Sequence, residues 1–174
     1  MMRALARPLL IAGLLAGSIG LSAQEAAAQD RGGLATYRNE RHGYSLSYPA
    51  AQFIALPQAT EDARLFVSND DKARLLVGTL ENSTNKSLVE YRTFLLGESY
   101  AGAKIDYAPV RDSWFVLSGI ARNGMMFYQR VTFTCDGRSI NSWALLYPEA
   151  ERATYDRIVE QVHRSYRVGP VNCR

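Results

Sequence analysis

Between Trp114 and Tyr147, three runs rich in aromatic and β-branched residues are separated by Asn123-Gly124 and Asp136-Gly137. Asn-Gly and Asp-Gly supply the positive φ angles that two-residue hairpin turns need, so this pattern predicts a three-stranded antiparallel meander. Counting outward from both dipeptides as two-residue turns puts Trp114, Val116, Ser118, Ile120, Phe127, Gln129, Val131 and Phe133 on one face. The other face then carries Phe115, Leu117, Tyr128, Arg130, Thr132, Trp143, Leu145 and Tyr147. Both faces hold large apolar side chains, so both are expected to be covered at least in part.

Two segments with helical spacing supply that cover. Ser87 followed by Glu90 is a capping-box pattern, and Leu88, Tyr91, Phe94 and Leu95 form an apolar stripe through a helix ending near Gly97 or Tyr100. In the second, Pro148 suits a first-turn position and Glu149 and Glu151 suit the positive end of the helix dipole. Its stripe is Tyr155, Ile158, Val159, Val162 and Tyr166, and Gly169 with Pro170 should end it. Tyr37 to Asn39, Tyr44 to Tyr48, Arg64 to Ser68, Ala73 to Leu80 and Lys104 to Val110 read as strands, and Ala50 to Asp62 as mostly loop. The fold class expected is α+β: an antiparallel sheet with a central three-strand meander, flanked by helices on both faces as an α/β/α sandwich.

The first thirty residues have a different pattern. Arg3 and Arg7 precede an apolar run from Leu9 to Leu21, and Ala26 and Ala28 stand at the −3 and −1 positions before Gln29. A basic start, an apolar middle too short to span a bilayer and a small-residue cleavage site read as a secretory signal peptide over residues 1–28. Gln24 stands where a bacterial lipoprotein needs a cysteine, so no lipid anchor is expected. Residues 29–174, about 146 in number, fit one globular domain with a hydrophobic core. Export to the periplasm is the expectation, with the extracellular space as the alternative.

Without the leader the net charge is about +2. Lysine occurs only at Lys72, Lys86 and Lys104, and the arginines are scattered among acidic residues. The basic patch of a nucleic-acid binder is missing, and no nucleic-acid partner is expected. Cys135 and Cys173 are the only cysteines, which in an exported chain reads as one disulfide closing a 38-residue separation and holding the tail to the sheet.

Gly43, Tyr44, Ser45, Leu46, Ser47, Tyr48 and Pro49 follow shortly after Tyr37 and lead into a loop. This segment resembles the opening hairpin of PsbP-like domains, with their GYS-like strand and YP corner. The order of strands, helix, meander and closing helix is similar to that fold along most of the mature chain. The resemblance implies an antiparallel sheet packed between helices. Members include a photosystem accessory subunit and a nuclear-import factor that binds a small GTPase, so it also implies a binding or assembly module without catalytic groups.

Candidate chemistry is sparse. His42 and His163 are the only side chains titrating near neutral pH, one in the Asn39–Gly43 turn and one near a helix end, where a cation suits the dipole. Asp70 and Asp71 read as turn residues in an Asn-rich hairpin. No HxH or HExxH spacing, phosphate-cradling glycine loop or GxSxG context for Ser118 is present, so no catalytic residue, metal or cofactor is expected. Arg130 is the most suggestive residue: the register sets it opposite Trp143, on a face with Tyr128. Its charge calls either for stacking on Trp143 with a helix carboxylate as partner, or for a bound anion or peptide carboxylate beside aromatic walls. Together these features point to an exported non-catalytic binding or assembly module of the bacterial envelope, whose partner is another envelope protein. The alternatives are a glycan- or peptide-binding protein that uses Arg130, Tyr128 and Trp143, and a hydrolase with an unrecognised site.

Overall fold

The computed structural model describes residues 33–57, 60–169 and Cys173. The expected signal peptide, residues 1–28, and Pro170 lie outside the described residues. Strands β1 (Leu34–Asn39) and β2 (Tyr44–Pro49) form a hairpin, and the short β10 (Arg167–Val168) pairs with the other edge of β2. Seven strands form a second antiparallel sheet: β3 (Phe53–Ala55), β4 (Ala63–Ser68), β5 (Arg74–Glu81), β6 (Lys104–Tyr107), β7 (Trp114–Ile120), β8 (Met125–Thr134) and β9 (Ser139–Pro148). Their order is β3-β4-β5-β9-β8-β7-β6. The chain is thus α+β, with two antiparallel sheets where the pattern suggests one. With β1 on one edge of β2 and β10 on the other, β2 has no edge left to join the larger sheet.

The expected loop from Ala50 to Asp62 contains β3, which pairs Ile54 with Val67 of β4. Three residues are too few for alternation to announce a strand. Helix α1 (Leu88–Gly97) begins with the expected capping box: Ser87 accepts from the Glu90 backbone N–H, and the Glu90 carboxylate accepts from that of Ser87 at 2.8 Å. Pro148 instead ends β9. One 3-10 turn (Glu149–Glu151) follows before α2 (Arg152–Ser165). Tyr166 continues the apolar stripe but is extended, so α2 ends at Ser165, four residues before Gly169, and the chain turns into β10.

The meander forms, with its first hairpin one residue out of the expected register. Ile120 pairs with Met126 and Val116 with Arg130, so the loop is the three residues Arg122, Asn123 and Gly124, the last at φ +80°. A type I turn closed by a left-handed glycine makes such a loop. Because strand side chains alternate, this single residue moves all of β7 to the opposite face. Phe115 and Leu117 join Phe127 and Val131, while Trp114, Val116 and Ser118 join Tyr128, Arg130 and Trp143. The second hairpin keeps the counted register, with Thr134 opposite Ser139 and Arg130 opposite Trp143.

Two buried clusters use alternate residues of these strands. One gathers Phe115, Leu117, Phe127, Val131 and Ile140 with Leu95 of α1. The larger gathers Leu75, Val77, Met126, Trp143, Leu145 and Tyr147 with Tyr155, Ile158, Val159 and Val162 of α2, and extends to Tyr44, Leu46 and Tyr48 of β2. Cys135 and Cys173 are disulfide-bonded with their Cα atoms 5.3 Å apart, as the cysteine pair suggests.

Candidate functional site

On the face of the meander nearest the end of α2, antiparallel pairing sets three rows side by side. Trp114 lies opposite Thr132, Val116 opposite Arg130, and Ser118 opposite Tyr128. The Arg130 guanidinium carbon is 4.4 Å from the Trp114 ring centroid and 5.3 Å from that of Tyr166. Arg111 lies over the same indole at 5.8 Å. Tyr128 stacks on Trp143 at 5.2 Å, and its hydroxyl shares a 2.8 Å hydrogen bond with Nδ1 of His163 in the last turn of α2. The Trp114 and His163 rings meet edge-on at 6.3 Å. The group therefore joins all three strands of the meander to the end of a helix.

Its electrostatics are one-sided. Among the described residues no carboxylate forms an ion pair with Arg111, Arg130 or Arg167. Burial lowers the Arg130 pKa, and the nearby Arg167 charge adds to that. Burial and then Arg130 push the His163 pKa below its ordinary value, so the imidazole is neutral at pH 7. Desolvation raises both Tyr128 and Tyr166 to about 12. Arg130 Nε and Trp143 Nε1 are buried here without a hydrogen-bond partner among the described residues, whereas the buried Thr132 and Tyr166 hydroxyls interact with each other. Buried polar atoms are normally satisfied, so the two unpartnered N–H groups mark a place where the fold supplies fewer partners than the side chains can use.

Arg130, Tyr128 and Trp143 are thus adjacent, as the sequence suggests, with different roles. Arg130 stacks on Trp114, which the one-residue turn difference brings to this face. The expected helix carboxylate is not among its partners. Trp143 is 0% exposed and lies under Tyr128 as a floor; it is not a wall open to ligand. Trp114, Arg111, His163 and Tyr166 complete the group. A three-residue count at Arg122–Gly124 was the signal that would have revealed Trp114.

A groove of about 680 Å³ lies elsewhere, lined by residues including Ser87, Glu90, Phe133, Cys135 and Arg138; none of Arg130, Tyr128 and Trp143 lines it. His42 Nε2 is 2.6 Å from the Asp62 carboxylate, which Arg41 also contacts at 3.3 Å. This clamp ties the β1–β2 turn to the start of β4, and its hydrogen bond to His42 is the main cause that holds the Asp62 carboxyl below the usual range. Asp70 and Asp71 are turn residues: Asp71 has φ +62°, and Asp70 accepts from Ser68 Oγ at 2.6 Å. Among the described residues there is no cluster of three or more potential metal-ligating side chains, and no helix long and apolar enough to cross a membrane.

No protein-family model matches the chain, and no curated protein is significantly similar to it. Solved structures do match. The solution structure of cyanobacterial PsbP (CyanoP) from Synechocystis sp. PCC 6803 superposes with a TM-score of 0.58 at 19% identity, covering 79% of this chain and 93% of that one. The Saccharomyces cerevisiae Ran-binding protein Mog1p superposes with a TM-score of 0.51 at 13% identity, covering 78% and 95%. The chain therefore has a PsbP/Mog1-like fold.

Proposed function

We propose that the protein is an exported, non-catalytic binding or assembly module of the bacterial cell envelope, and that its partner is another envelope protein. In this reading residues 1–28 are a cleaved signal peptide, and the mature domain, an α/β/α sandwich with one helix over each face of the large sheet, works in the periplasm. Support for a binding role comes from the fold, since one protein that shares it is named for binding Ran.

The observation that carries the reading is an uncovered half of the large sheet. Helix α1 packs over Phe115, Leu117, Phe127, Val131 and Ile140, toward the β7–β9 side. On the β3–β5 side of that face, Ile54, Leu76 and Leu80 are 59%, 47% and 59% exposed. The pairings Ile54↔Val67↔Arg74 and Leu65↔Leu76↔Ala144 place these side chains on one surface. Exposed apolar side chains gathered on one sheet face offer a surface for a protein partner.

Site-specific photo-crosslinking from position 76 or 80, in cells that export the protein, tests this. One crosslinked envelope protein is expected, lost when the other position carries aspartate (Leu80→Asp with the crosslinker at 76, Leu76→Asp with it at 80) and missing when the crosslinker stands at exposed Arg157 on α2. Equal crosslinking from all positions, or turnover by the purified domain that one point substitution abolishes, overturns the reading.

A further inference from the structure

Arg130 lies on the opposite face of the large sheet from the apolar strip, because Val77, its neighbour but one across β9, alternates with Leu76. What surrounds it is therefore independent of that strip. The guanidinium carbon lies over the Trp114 ring at 4.4 Å and the Tyr166 ring at 5.3 Å, its Nε is buried and unpartnered, and no acidic side chain among the described residues pairs with it. A half-buried cation stabilised only by ring faces has unused hydrogen-bonding capacity along its edge. Arg111 adds a second guanidinium to the same indole, and Arg167, whose Nη1 caps the end of α2 through the Arg164 and Tyr166 carbonyls, adds a third positive charge nearby. His163, neutral and tied to Tyr128, lines the same spot without adding charge at pH 7.

We propose that this Arg130–Trp114–Tyr166 cluster is a receptor for a carboxylate group. The chemistry is a planar anion meeting the planar fork of a guanidinium beside two aromatic rings. Contact with two rings restricts the Arg130 side chain, which lowers the ordering cost of binding, and Arg111 supplies long-range attraction from the exposed rim. Tyr107, exposed on β6 and paired across β7 through Ser118 with Tyr128, extends the aromatic surface beyond the charged centre and offers a stacking face to whatever carries the carboxylate. Two carriers share this chemistry: the C-terminus of a short peptide and an acidic sugar.

The test is an NMR titration of the domain, followed at the Arg130 side-chain Nε–H and the Trp114 indole N–H. The probes are N-acetyl-alanyl-alanine and its C-terminal amide, glucuronate and glucose, and inorganic phosphate. The expected result is a saturable shift of both signals with one or both carboxylates and none with their neutral counterparts. The carboxylate that binds tighter identifies the carrier. Arg130→Met should weaken binding about tenfold or more and Arg130→Lys by less, since the ammonium keeps charge without the fork. Arg111→Gln, at an exposed position, should weaken it a few-fold with the fold intact, so the proposal stays testable if the Arg130 variants unfold. Equal response to the neutral probes, no response to either carboxylate, tighter binding of phosphate, or full binding by a folded Arg130→Met overturns it.

Discussion

Arg130 stacks on Trp114, its diagonal neighbour in the meander, with the guanidinium carbon 4.4 Å from the ring centroid, whereas Trp143, directly opposite Arg130, stacks with Tyr128. A double-mutant cycle of Trp114→Leu and Arg130→Met should give a coupling of about 0.5–2 kcal/mol from urea denaturation. If the cation relied on Trp143, the Trp114 cycle would show no coupling.

The Cys135–Cys173 bond closes a 38-residue separation and holds Cys173 against the β8–β9 turn, where Arg138 donates to its carbonyl at 3.0 Å. On the chain-entropy estimate, the double substitution to serine should lower unfolding free energy by roughly 4 kcal/mol. Chemical denaturation of both proteins without reductant measures this, and an unchanged midpoint is the contrary result.

Glycines 97 and 119 should respond oppositely to alanine. A β-carbon at Gly119 would run into the Lys104 carbonyl, because β6 and β7 approach closely where their register shifts. Gly119→Ala should cost about 1–3 kcal/mol. Gly97, at the end of α1, has open space around its missing β-carbon, so Gly97→Ala should be neutral or stabilise by up to about 1 kcal/mol. Thermal melts of the two variants decide both signs.

His163 should give stability an acid-side slope. Its folded pKa is held below 6.5 by burial and then by Arg130, with Tyr128 bonded to Nδ1. Above pH 6.5 the imidazole is neutral in folded and unfolded chains alike. As pH falls below 6.5 the unfolded chain takes up the proton first, so the folded state loses stability until pH has passed the depressed folded value. Urea midpoints taken from about pH 7.5 down to about pH 5 should fall for the native sequence and fall less for His163→Gln. Equal slopes would assign the acid sensitivity to other groups.

Much of the fold is legible locally. Ser87 and Glu90 mark the start of α1 because a capping box satisfies backbone N–H groups within four residues. Tyr155, Ile158, Val159 and Val162 mark α2 because each is buried on one helical face. The candidate site was half legible: Arg130 opposite Trp143 follows from the Asp136-Gly137 turn. The dipeptide count puts Trp114 on the other face, because Asn123-Gly124 is compatible with both two- and three-residue loops, which differ by one residue and hence by a whole face. Tyr166 and His163 entered the site through the docking of α2, to which no sequence spacing connects them.

Alternation, helix caps and turn dipeptides are written locally in the chain, because each depends on the stereochemistry of neighbouring residues, and the cysteine pair is legible because the chain has only two cysteines. The tertiary contacts set β10 against the small sheet, leave Ile54, Leu76 and Leu80 exposed beyond α1, and bring Arg130 to two aromatic rings and, among the described residues, to no acid. Those outcomes rest on contacts between segments far apart in the chain. Such contacts are selected by how whole surfaces fit, and a local pattern of residue types carries no record of that fit.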